Sequence, residues 1–109
     1  EDHVDGLITI LEKNIINKTY IIGSSNEKEN IETVDAICKT LDESWDPSYC
    51  HKNLQIFVKD RLGHDFRYAV NSQLLQTELG WKPKHTFING IKKTVDWYLK
   101  NKDWWSDKI

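Results

Sequence analysis

Apolar residues recur at helical spacing in three parts of the chain. In 2–17, Val4, Leu7, Ile8, Leu11 and Ile15 fall on one stripe, which predicts a helix with Asp2 as its N-cap. In 31–42, Ile31, Val34, Ile37, Cys38 and Leu41 form a second stripe behind Asn30, a capping residue type. A third stripe, opened by Thr86, runs through Ile88, Ile91, Val95, Tyr98 and Leu99, with Trp104 and Trp105 in the tail. A shorter helix is predicted between Asn71, a cap, and Gly80. Glycine suits the left-handed position that ends a helix, Trp81 follows for the accompanying apolar contact, and Pro83 stops the helix from continuing.

Between the helices the pattern changes. The runs 19–22, 54–59 and 68–70 are β-branched, aromatic or alternating, and predict short strands. Polar stretches at 23–29 and 60–65, and the irregular 43–53 with Pro47, read as loops. The order is helix, strand, helix, strand, strand, helix, helix. Strands so few and short cannot hide both faces of a sheet. The expected fold is therefore α+β, a small helix-rich lobe packed against something else.

Length and charge narrow the function classes. The 109 residues suffice for a single unit spanning the whole of 1–109. A net charge of -2 supplies no basic surface for nucleic acid or an anionic membrane. No apolar run approaches the ~18 residues of a spanning helix. Two cysteines, Cys38 and Cys50, make no disulfide framework, and a reducing, cytoplasmic setting is expected. They and the histidines lack the paired spacing of a zinc site, so no metal is expected. Nor is there a paired-carboxylate acid/base dyad or a nucleophile set apart by its neighbours, so no catalytic residue is assigned. The sequence holds no methionine, which predicts that Glu1 is not a translation start and that the chain is a piece of something longer.

Lysine dominates the 15 basic residues, yet both arginines, Arg61 and Arg67, fall within one short segment. Arginine offers a planar fork for paired hydrogen bonds to an anion, which lysine cannot copy. In the segment 60–68, Arg61 can grip a phosphate, His64 adds a donor that can carry charge, and Gly63 lets the backbone turn sharply. Asp60 or Asp65 can hold a cation in orientation. This is a candidate phosphate or pyrophosphate site; a solvated turn with a local Arg–Asp pair fits the same residues. The loop 23–30 is a second candidate. It precedes a helix N-terminus, which favours anions, and Asn26 offers a donor and an acceptor. It has no Gly-rich phosphate pattern, and a plain loop with a cap explains it nearly as well.

Five stretches in order, EDH at 1–3, GSSNEKENIETV at 23–34, DRLGHDFRYAVN at 60–71, LGWKP at 79–83 and GIKKTVDWYLKN at 90–101, resemble the C-terminal part of the dTDP-glucose 4,6-dehydratase family, within the extended short-chain dehydrogenases/reductases. The resemblance implies a lobe lacking the family's Rossmann domain. It implies conversion of dTDP-glucose to a 4-keto-6-deoxy sugar nucleotide by the full-length enzyme, with NAD held upstream and none expected on this chain alone. It places Arg61 and His64 at the pyrophosphate and Asn26 in the nucleotide pocket. Implied partners are a dTDP-sugar nucleotide and the missing N-terminal Rossmann part, with self-association through exposed apolar surface in its absence. Three positions depart from the pattern. Leu62 stands for the usual Pro, which removes a restraint worth ~0.4–1 kcal/mol. Phe66 stands for Arg and Asn71 for Asp. The alternative is a stand-alone or degenerate sugar-nucleotide-binding or docking domain without catalysis.

Overall fold

The structure is a computed structural model and describes residues 1–107. It contains five α-helices among the described residues: α1 (Asp2–Glu12), α2 (Asn30–Ser44), α3 (Gln73–Leu79), α4 (Phe87–Lys100) and α5 (Lys102–Ser106). A single 3-10 turn, His51–Leu54, lies between α2 and α3. The chain divides into two units, one made of Glu1–Glu27 with Gly63–Thr86 and the other of Lys28–Leu62 with the chain from Phe87 onward.

In the first unit the buried residues are Gly6, Ser72, Leu75 and Trp81. Helix α1 approaches this core through Gly6. A β-carbon there would stand 3.1 Å from Ile22 Cγ2 and 3.3 Å from Trp81 Nε1, so a larger residue would push the helix away. The helix stops earlier than its stripe suggests. Asn14 (φ 49°) and Asn17 (φ 60°) take left-handed conformations just beyond it, which a helix cannot continue through. Its other flank is bare: Leu11 is 75% exposed, and Val4, Leu7 and Ile8 are exposed too. Helix α3 ends at Gly80, whose φ of 73° is the left-handed C-cap expected there, with its N–H donating to the Gln76 carbonyl.

In the second unit α2 packs on α4, and the 3-10 turn packs on α2. Of the predicted stripes, Ile31, Ile37, Cys38 and Leu41 on α2 and Ile91, Val95 and Leu99 on α4 are covered, while Val34, Ile88 and Tyr98 are exposed; Thr40, outside the stripe, is buried. The 3-10 turn is fastened to α2 by polar contacts: Lys52 Nζ and Gln55 Nε2 donate to Asp35 at 2.8 and 2.7 Å. Trp97 meets Tyr98 and Trp104 edge-on, with ring centroids 5.2 and 5.1 Å apart.

Four expectations need correction, the first being the cap of α3, which is Ser72 and not Asn71, although Asn71 Oδ1 accepts the Gln73 N–H at 2.9 Å. The strands at 19–22, 54–59 and 68–70 do not form among the described residues; those segments are extended or irregular. A strand exists only with a hydrogen-bonding neighbour, and no backbone ladder joins these runs. The fold is thus a helix-rich segment rather than α+β. The cap of α2 is Glu29, not Asn30. Glu29 and Glu32 form a reciprocal capping box, with the Glu29 N–H donating to Glu32 Oε2 at 2.9 Å. Asp2 does not cap α1 either. Its carboxylate accepts the backbone N–H groups of Lys84 and His85, both at 3.0 Å, and lies 2.7 Å from His85 Nδ1.

Candidate functional site

The segment between the 3-10 turn and α3 is where the sequence placed its anion site. It carries no regular structure: Ile56, Phe57 and Val58 are each more than four-fifths exposed, and a turn forms at Leu62 and Gly63. Gly63 holds φ at +72°, with open space where a β-carbon would be. Only glycine adopts this conformation at no steric cost, so glycine suits the turn between Arg61 and His64.

Arg61 lies on one side of that turn and belongs to the second unit; His64 lies on the other and belongs to the first. Both are exposed. The Arg61 backbone N–H donates to the Asp60 carboxylate at 2.8 Å, which braces the backbone at the start of the turn. Asp65 accepts the Tyr68 hydroxyl at 2.5 Å, and that bond raises the Tyr68 pKa above its usual value. Asp65 is therefore engaged with a neighbouring phenol, not with a cation as the sequence suggested.

Asn26 lies in the first unit, on the exposed loop that leads to α2. Its neighbour Ser25 holds a left-handed φ of 52°. The helix N-terminus just beyond this loop does not offer itself to an anion. The capping box already places the carboxylates of Glu29 and Glu32 on its free N–H groups, and the bond to the Glu29 N–H holds Glu32 below the usual carboxylate pKa. The protein's own anions fill the role that the loop-then-helix pattern suggested for a ligand.

Two polar relationships near these residues were not visible in the sequence. Arg67 is bound to Glu27 by its Nε, at 2.8 Å, and by its Nη2. The fully buried Ser72 hydroxyl donates to the Gly23 carbonyl at 2.6 Å and accepts from Gln76 Nε2 at 3.0 Å. The clustering of both arginines was the one signal that Arg67 had work to do. In the second unit, His51 is buried with its Nδ1 2.5 Å from Asp42 Oδ1, stacked on Trp45 and edge-on to Tyr49. It secures the 3-10 turn to the end of α2.

An exposed guanidinium such as that of Arg61 has the planar donor fork suited to paired hydrogen bonds with an anion. Among the described residues no group of three His, Cys, Asp or Glu side chains is placed to hold a metal ion. No helix among them is long and apolar enough to cross a membrane.

Comparison with known proteins accords with the motifs. No family model matches the chain. It is 43% identical over its whole length to a dTDP-glucose 4,6-dehydratase of Neisseria meningitidis, covering 32% of that protein. It is 45% identical to an Escherichia coli protein of the same name, with 95% of this chain and 29% of the relative covered. A crystal structure of dTDP-glucose 4,6-dehydratase from Bacillus anthracis in complex with NAD superimposes with a TM-score of 0.82 at 38% identity. That match covers 97% of this chain and 31% of that one. The chain thus spans about a third of the length of the curated relatives it matches.

Proposed function

From a chain homologous to a partial segment of dTDP-glucose 4,6-dehydratase, we propose that this protein supplies the pyrophosphate-gripping part of a sugar-nucleotide site. Arg61 and His64 contact the diphosphate of a dTDP-sugar, and Asn26 lies in the nucleotide pocket. What supports this reading is the 43% identity to a dTDP-glucose 4,6-dehydratase over the whole chain, the segment 60–68 included, together with the exposure of the Arg61 and His64 side chains. In a complete enzyme the segment would serve the conversion of dTDP-glucose to dTDP-4-keto-6-deoxyglucose, in the cytoplasm.

The residues present do not fit NAD. The chain has no glycine-rich dinucleotide loop, and the N-terminus of α2 is occupied by Glu29 and Glu32. No catalytic step is assigned to this chain by itself. The bare flank of α1, with Leu11 three-quarters exposed, is the face that would meet a Rossmann partner. Without one it favours self-association, which sedimentation at rising concentration reads as a mass increase.

A second reading, a binding or degenerate domain without catalysis, draws on two residues. Leu62 and Phe66 stand fully in solvent where the family pattern has Pro and Arg, so the loop has lost a restraint and a cation. Isothermal titration with dTDP tests the retained site. Sub-millimolar binding that weakens on Arg61→Ala supports it; no binding, or binding indifferent to Arg61→Ala, removes it.

A further inference from the structure

Arg67 is one of two arginines in the chain, and the anion site above uses only the other. Its guanidinium is paired within the chain, at the surface, with Nε and Nη2 both on Glu27 Oε2. Glu27 directly follows Asn26. At the other end of the same stretch, the buried Ser72 hydroxyl holds the Gly23 carbonyl, and Val70 lies so close to Gly23 that no β-carbon fits there. Gly23 therefore faces 70–72 while Glu27 faces Arg67. The stretches 23–27 and 67–72 run antiparallel and are fastened by side chains at both ends.

Between the two fastenings lie Ser25 and Asn26. Ser25 has a φ of 52°, a conformation that a residue with a β-carbon keeps only where its surroundings impose it. The Ser72 end is buried and secure. The Arg67 end is exposed, with side-chain exposures of 63% and 53%, so it adds little to global stability. Its effect falls on the loop it closes.

Resting on the sugar-nucleotide reading, we infer that Arg67 is a positioning residue: acting through Glu27, it holds the loop 24–27 so that Asn26 presents its side-chain amide to the nucleotide. Arg67 is then a fastening and not a phosphate ligand. A lysine would not reproduce it, because Nε and Nη2 approach the carboxylate as a rigid planar pair and an ammonium lacks that fixed fork.

Amide NMR of the full chain without ligand reads the fastening directly. Arg67→Ala should move the backbone resonances of 24–27 and the Asn26 side-chain amide while leaving Leu75 and Trp81 in place. Unmoved resonances at Ser25 and Asn26 overturn the inference. Calorimetry with dTDP supplies the second arm. Arg67→Ala should weaken binding on the order of tenfold, and the charge-exchanged pair Glu27→Arg with Arg67→Glu should recover most of it. In an Asn26→Ala background, Arg67→Ala should add nothing; a full additional loss there contradicts action through Asn26. Binding that falls on Arg61→Ala but not on Arg67→Ala overturns the role of Arg67 alone. Absence of dTDP binding by the unaltered chain overturns both it and the sugar-nucleotide reading.

Discussion

Gly23 lies against Val70 so closely that a β-carbon on it would stand 2.3 Å from Val70 Cγ2. That methyl sits on a β-branched side chain with restricted rotamers, so it cannot swing aside freely. Gly23→Ala should destabilise the chain by about 1–3 kcal/mol, the usual range for overpacking. Val70→Ala removes the offending methyl. The double variant Gly23→Ala/Val70→Ala should therefore recover most of the loss in urea denaturation. Losses that simply add would show that the contact is not the cause.

The capping box gives a second expectation. Glu32→Ala leaves the Glu29 N–H without its acceptor and should cost about 0.5–2 kcal/mol. Glu32→Gln keeps an acceptor and should cost less. Circular dichroism during thermal unfolding ranks the three proteins; an Ala variant as stable as the parent would remove the box as a contributor.

How far the sequence disclosed this fold depends on the range of each interaction. Helices over the three stripes and the left-handed Gly80 rest on residues within a turn or two of each other, and these form, although α1 stops at Glu12, short of Ile15, and leaves Val4, Leu7, Ile8 and Leu11 exposed. The strands at 19–22, 54–59 and 68–70 failed for the opposite reason. Their residues favour extended backbone, but a strand also needs a neighbour, and local pattern does not say whether one is present. The caps were misread because Asn30 and Asp2 are good capping types, while Glu29 wins through its reciprocal bond with Glu32, and Asp2 is drawn 82 residues along the chain to the Lys84 N–H. The site shows the same division. Arg61, His64 and Asn26 were singled out by residue type and motif, a local signal. The Arg67–Glu27 and Ser72–Gly23 links, 40 and 49 residues apart, only the folded chain brings together.

The Asp42–His51 link sets an acid sensitivity. The Asp42 carboxylate accepts the His51 backbone N–H at 2.9 Å and contacts its ring, and these bonds hold its pKa below the ordinary 3.8. A carboxylate depressed on folding stabilises the protein above its unfolded pKa. That stability is lost as pH falls through the lower, folded value. Unfolding free energy should therefore decline from about pH 5 downward, and Asp42→Asn should flatten part of that decline. Asp2, depressed by the His85 ring and the backbone N–H groups near it, acts in the same direction. An acid limb unchanged in Asp42→Asn would assign the loss to other groups.

Whether the segment around Arg61 grips phosphate is read most directly by comparing dTDP with thymidine on the same chain. The two ligands differ only in the diphosphate. If Arg61 and His64 hold it, dTDP should bind at least about tenfold more tightly, as expected for charge-assisted bonds to an anion. Arg61→Ala should then close most of that gap while leaving thymidine unchanged. Equal affinities for the two ligands, or a gap that survives Arg61→Ala, would contradict the claim.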